Sequence, residues 1–173
     1  MQYETGPDGT LHEATIRELA EWYAGEQGDV EAFEAHLMLL KAHATFIGSA
    51  QRGRRNLLSV ERFTLLRLLY RLPEHRMQMT DIGRALGVSP TSITKLVNRL
   101  EALKLVERLP HETDKRRAWV RITEKGIATT AENLPGARHA TRLRWKGLTQ
   151  EEQRTLAHLL TKLVMKLEGE SQE

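Results

Sequence analysis

The segment TDIGRALGVSPTSITKLVNRLEAL, residues 80–103, decides the fold. Thr80 opens a short helix over 80–86, and Gly87 supplies the turn that ends it. Ser89 then caps a second helix over 89–103, with Pro90 at its first position, where a missing N–H costs nothing. Ile93, Leu96, Val97, Leu100 and Leu103 line up as one apolar stripe. Gly83 is small where two helices must approach closely, and Val88, Ile93 and Leu96 fill the core between them. The spacing predicts a helix–turn–helix.

The other face of the second helix carries Thr91, Thr94, Lys95 and Asn98, with Ser92 and Arg99 at its margin. No acidic residue interrupts it before Glu101. Hydroxyls, an amide and cations are the groups that bond to phosphates and base edges. An ordinary solvated face mixes in Asp or Glu. Helix 89–103 is therefore expected to be a recognition helix, its N-terminal half deepest in a major groove.

Two alternating segments follow. Leu105–Leu109 gives a short strand ended by Pro110, and Ala118, Val120 and Ile122 lie on one face of a second. They predict an antiparallel hairpin whose tip holds His111, Asp114, Lys115 and Arg116, with Arg117 at the start of the return strand. A hairpin after a recognition helix is a wing, and an arginine at its tip suits the negative potential of a narrow minor groove. Asp114 is expected to orient Arg116 or Arg117 through a bidentate pair.

Most of what remains reads as helix: 11–26 with Leu11, Ile16, Leu19, Trp22 and Tyr23; 30–51 with Phe33, Leu37 and Leu40; and a Ser59-capped helix that Pro73 ends. Thr123 caps a helix running toward Trp145, which Pro135-Gly136 is expected to kink or split. Thr149 and Glu152 form a capping box that opens a last helix striped by Leu156, Leu159, Leu160, Leu163, Val164 and Leu167. The expectation is a mainly α protein with a small β-hairpin wing. Its parts are an N-terminal extension (1–28), a dimerisation helix and basic linker (29–56), a winged helix–turn–helix lobe (57–126) and C-terminal dimerisation helices (127–173).

Composition narrows the function. The 173 residues carry a net charge of +3, unevenly spread: 2 Lys/Arg stand against 9 Asp/Glu over 1–51, and 11 against 6 over 76–126. A basic middle behind an acidic start suits a polyanion partner. Without cysteine there is no disulfide, thiolate metal site or thiol switch. No run of 18 apolar residues or signal peptide is present, so a cytoplasmic protein away from the membrane is expected. No glycine-rich phosphate loop, nucleophile elbow or HExxH motif occurs, which argues against an enzyme and calls for no cofactor.

Three segments together, LLSVERFTLLRLL (57–69), MTDIGRALGVSPTSITKLVNRLEALKLVERL (79–109) and DKRRAWVRITEKG (114–126), resemble the MarR family of transcriptional regulators. The resemblance covers roughly 30–168. It implies a homodimer with intertwined N- and C-terminal helices, two winged lobes on a pseudo-palindromic duplex DNA operator, and a small-molecule effector that releases DNA. It carries Arg116 over as the minor-groove residue with Asp114 as its partner, and matches Ser89, Thr91, Ser92, Lys95 and Arg99 to recognition-helix contacts. Two departures stand out: Lys104 lies where many members have glycine, and the extension resembles the added helix of the urate-responsive branch. That likeness singles out Trp22 and Thr64, which with Arg108 are the candidate ligand-pocket residues, although Thr64 stands where that branch has an acidic side chain. Two alternatives keep the fold and change the partner: a zinc-responsive regulator using histidines such as His36 and His43, and a winged helix that binds protein. No residue is assigned as a metal ligand.

Overall fold

The computed structural model describes residues 3–52, 58–110 and 117–170. The wing-tip residues Asp114, Lys115 and Arg116 lie outside the described residues. The chain divides into two compact units, residues 1–63 and 64–173.

The first unit opens on a hairpin, β1 (Tyr3–Thr5) paired antiparallel with β2 (Leu11–Glu13), followed by α1 (Ala14–Ala24) and α2 (Val30–Arg52). Residues 11–13 are therefore strand, not the first turn of the expected helix. The reversal is driven by Pro7-Asp8-Gly9: Asp8 Oδ1 accepts from the Thr10 amide at 2.9 Å, and Gly9 takes φ 84°. Glu13 can then act as N-cap, accepting from the Ile16 amide at 3.1 Å.

Ion pairs link the elements of this unit. Glu13 is buried and meets Lys41 Nζ at 2.9 Å. Glu34 accepts from Arg17 at 2.8 Å and pairs with His12 at 2.6 Å, which ties the hairpin and α1 to α2. The Lys41 hydrogen bond holds the Glu13 carboxyl below its ordinary range. For Glu34 burial pushes the other way, but hydrogen bonds from Arg17 and His12 outweigh it and the carboxyl is again lowered.

The second unit contains α4 (Met79–Leu86), α5 (Pro90–Ala102) and a three-stranded antiparallel sheet in the order β3-β5-β4, from β3 (Arg76–Gln78), β4 (Val106–Pro110) and β5 (Ala118–Ile122). The helix α3 (Val60–Tyr70) contributes Leu65, Leu66 and Leu69 to its core, where they join Ile82, Ile93, Val97, Leu100, Leu105, Val106, Val120 and Ile122. Each fully buried aliphatic side chain here is worth roughly 1.5–3 kcal/mol. The third strand, β3, was not expected. Three residues are too few for a period to show, and it exists because β5 supplies partners from Arg76 to Gln78.

Thr123 caps α6 (Glu124–Trp145), which runs through Pro135 as one helix rather than two. Proline there forfeits one main-chain bond, which a 22-residue helix survives. The expected capping box opens α7 (Gln150–Glu170): the Glu152 amide donates to Thr149 Oγ1 at 3.2 Å and the Thr149 amide to Glu152 Oε2 at 2.6 Å. Nothing on α7 is buried, and Leu159 and Leu167 are each more than half exposed.

Candidate nucleic-acid interface

The candidate interface is built on α5. Ser89 accepts from the Ser92 amide at 3.3 Å and donates to Ser92 Oγ at 3.0 Å. Gly87 turns the chain into it at φ 63°, and the Val88 amide donates to Gly83 O at 3.0 Å. A Cβ on Gly83 would stand 3.3 Å from the Val88 carbonyl oxygen, so the small residue is used where the sequence suggested. Ile93, Val97 and Leu100 are buried, while Leu96 is half-buried.

The opposite face is solvent-exposed at Thr91, Ser92, Thr94, Lys95, Asn98 and Arg99, and Ser89 is exposed beside them. Not all of these are equally ready for a ligand. Ser89 spends its oxygen on the cap, and Thr94 donates its hydroxyl to Pro90 O at 2.9 Å, which leaves it as an acceptor. Lys95 and Arg99 supply positive charge at the exposed surface. Arg117, at the foot of the wing, is exposed as well.

How α5 ends matters for where the wing starts. Lys104 takes φ 58°, its amide donates to Glu101 O at 2.8 Å, and the Leu105 amide donates to Leu100 O at 3.0 Å. This is a Schellman closure with lysine in the left-handed position that glycine usually fills. The departure at Lys104 therefore leaves the helix end unchanged in form and makes it costlier. Thr123 Oγ1 donates to Lys104 O at 2.8 Å, and the Thr123 amide to Leu105 O at 3.1 Å, so the exit of the wing is fastened to the end of α5. Gly126 completes the junction: a Cβ there would lie 2.1 Å from the Leu105 carbonyl oxygen. Thr123 and Gly126 thus each have a physical reason at this junction.

Two side chains gain roles that the sequence did not suggest. Glu101 accepts from the Arg108 amide at 3.0 Å and pairs with the Arg108 guanidinium. The same guanidinium donates to Asn98 Oδ1 at 2.5 Å. Arg108, a candidate pocket residue, is in this way fastened to α5 in the winged lobe. No sequence rule pairs positions 101 and 108, because a helix end and a turn lie between them. On the sheet, Arg121 meets the cross-strand Glu107 at 2.8 Å, and Arg76 stacks over the Trp119 ring at 4.7 Å.

The other pocket candidates lie elsewhere. Trp22 is exposed on α1 and meets Tyr23 edge-on with centroids 6.1 Å apart. Thr64 stands on α3, its hydroxyl accepting from Arg67 at 3.3 Å. Among the described residues no three His, Asp or Glu side chains gather as a metal site, and no helix is long and apolar enough to cross a membrane.

A helix–turn–helix with its sheet hairpin fastened directly behind the recognition helix is the winged class of that motif. The MarR family model matches residues 58–117. The HTH-type transcriptional repressor YetL of Bacillus subtilis is 32% identical over 124 residues, which cover 70% of this chain and 72% of that protein. The transcriptional repressor MprA of Escherichia coli is 29% identical over 99 residues, 57% of this chain and 56% of its own length, so the chain matches little more than half of that relative. In structure, the MarR-family regulator Sco3205 of Streptomyces coelicolor, solved in complex with DNA, superposes with a TM-score of 0.74 at 21% identity, covering 83% of this chain and 91% of that one. The chain belongs to the MarR family of winged-helix transcriptional regulators.

Proposed function

We propose that the protein is a homodimeric repressor that binds a pseudo-palindromic DNA operator and releases it when a small-molecule effector binds. The observation that carries the reading is the exposed face of α5: hydroxyls, an amide and two cations, with no carboxylate among Thr91, Ser92, Thr94, Lys95, Asn98 and Arg99. That surface is matched to the phosphates and base edges of a major groove. Arg117, and in sequence the cations Lys115 and Arg116 just before it, suit the neighbouring minor groove. The relatives' own descriptions as repressors favour repression over activation.

The second copy is supported by α7. A helix of 21 residues that buries none of its leucines gains little stability from its own chain. Covering Leu159, Leu160, Leu163 and Leu167 against another subunit gains roughly 1.5–3 kcal/mol per side chain fully buried. Effector control is what membership of the family supports.

Selection from a randomised duplex library tests the DNA-binding part of the reading, and light scattering the dimer. Enriched sites should be two-fold symmetric with half-sites about 10 base pairs apart. Affinity should fall steeply with salt as Lys and Arg displace counterions. Light scattering at micromolar concentration should give twice the chain mass. Equal affinity for random and selected duplexes, or a folded monomer, would refute it.

A further inference from the structure

We infer that Asn98 discriminates bases by donating hydrogen bonds only, and that Arg108 imposes this by occupying the Asn98 side-chain carbonyl. The inference rests on the reading of α5 as the recognition helix and adds to it a base preference and the residue that sets it.

Asn98 lies near the middle of the exposed face of α5, away from Ile93, Val97 and Leu100. In a major groove an unhindered asparagine pairs best with adenine: its amide donates to N7 while its carbonyl accepts from the N6 amino group. Both halves of the amide are needed for that contact. Here the Arg108 guanidinium lies 2.5 Å from Oδ1. Arginine has donors and no acceptor, so the atom it faces must be the oxygen whichever way the amide is drawn. The NH2 group is what remains to meet DNA. A second lone pair on Oδ1 survives, but an adenine amino group reaching for it would arrive beside the guanidinium N–H groups, donor against donor.

The guanidinium is also held where it is. Glu101 pairs with it and accepts from the Arg108 amide at 3.0 Å. That carboxylate balances the charge and anchors both side chain and strand, so Arg108 has less reason to swing toward a phosphate. Glu101, Arg108 and Asn98 thus form a chain from the end of α5, through β4, back to the reading face. The base opposite Asn98 is expected to present acceptors: guanine with N7 and O6, or thymine with O4. Arg108 is a positioning residue in this scheme and need not touch DNA.

The test is a duplex selection run in parallel on the full chain and on Asn98→Ala, Arg108→Met and Asn98→Asp. Asn98→Ala should erase preference at one position per half-site, where the parent favours guanine or thymine over adenine by on the order of tenfold. Arg108→Met frees the carbonyl, and adenine should rise at that same position while the others stay unchanged. If circular dichroism shows that this variant has lost its fold, Asn98→Asp decides. It keeps the Arg108 pair, removes every donor, and should turn the position toward cytosine, whose N4 amino group donates. A parent that favours adenine there, a folded Arg108→Met variant with parental preferences, or an Asn98→Asp variant that still favours guanine or thymine overturns the inference. So does an Asn98→Ala selection identical to the parent's at every position, and in that case DNA binding itself stands. A parent that enriches no sequence overturns the DNA-binding reading, and this inference with it.

Discussion

Replacing Gly126 by alanine should loosen the joint between wing and recognition helix. The new Cβ would sit 2.1 Å from the Leu105 carbonyl oxygen and 2.6 Å from Ile122 Cγ1. A carbon and a carbonyl oxygen ordinarily come no closer than about 3.3 Å, so something must move by roughly 1 Å. Neither side gives easily. The Leu105 oxygen already accepts from the Thr123 amide at 3.1 Å, and Gly126 is fixed by the bond its own amide makes to Thr123 Oγ1, also 3.1 Å. Overpacking of this kind costs about 1–3 kcal/mol, and backbone on both sides argues for the upper end. A loss of about 3 kcal/mol lowers the melting temperature by roughly 10 °C in a protein of this size. Gly136 provides the control. It lies in the same helix, nothing stands within 4 Å of its added Cβ, and alanine there should stabilise by about 0.5–1 kcal/mol. Urea and thermal unfolding of both variants make the comparison. If Gly126→Ala were as stable as the parent, or if the two substitutions acted alike, the account of this junction would be wrong.

Lys104→Gly should raise stability by about 1 kcal/mol, because the left-handed φ of 58° is free to glycine and strained for lysine; a lower urea midpoint would contradict this. Ser89→Ala should cost about 1 kcal/mol through loss of the cap on α5, visible in the same unfolding assay, and a neutral result would mean that water replaces the cap. The first unit should loosen in acid. Glu13 and Glu34 are both lowered from 4.5 on folding, so their stabilisation is complete above that value and is lost as pH falls through the depressed folded values. Protection of the Ile16 amide, its hydrogen exchange taken relative to the intrinsic rate at each pH, should fall on that descent, and Glu13→Gln should flatten the pH dependence. Lys95→Ala should relax base preference at one or two positions per half-site, by about 1–3 kcal/mol if a base contact is lost. Unchanged preferences would mean that another face of α5 enters the groove.

What the sequence made legible was set by local rules. Ser89, Pro90 and Gly87 fix the start of α5 and the turn before it through their own backbone preferences, and they act within a few residues. Thr123 and the pair Thr149–Glu152 are caps for the same reason. The alternation of Ala118, Val120 and Ile122 shows as a strand because one face is buried. The β1–β2 hairpin was hidden because its strands are three residues long and Leu11 also fits a helical stripe, so only Asp8-Gly9 argued for a reversal. β3 was hidden because it owes its existence to β5, some forty residues on.

The site divides along the same line. Which residues of α5 face outward follows from a rotation of 100° per residue, and the exposed set matches that reckoning. What each can still offer a ligand does not follow from it. Thr94 lost its donor to a carbonyl one turn back, a local event that the sequence permits without announcing. The Asn98 carbonyl is taken up by Arg108, ten positions later, across a helix end, a left-handed lysine and the first residues of a strand. A helical wheel gives both residues the same polar symbol. The chemistry that would separate guanine from adenine depends on which half of one amide is left over, and that is settled only where β4 returns to lie beside α5.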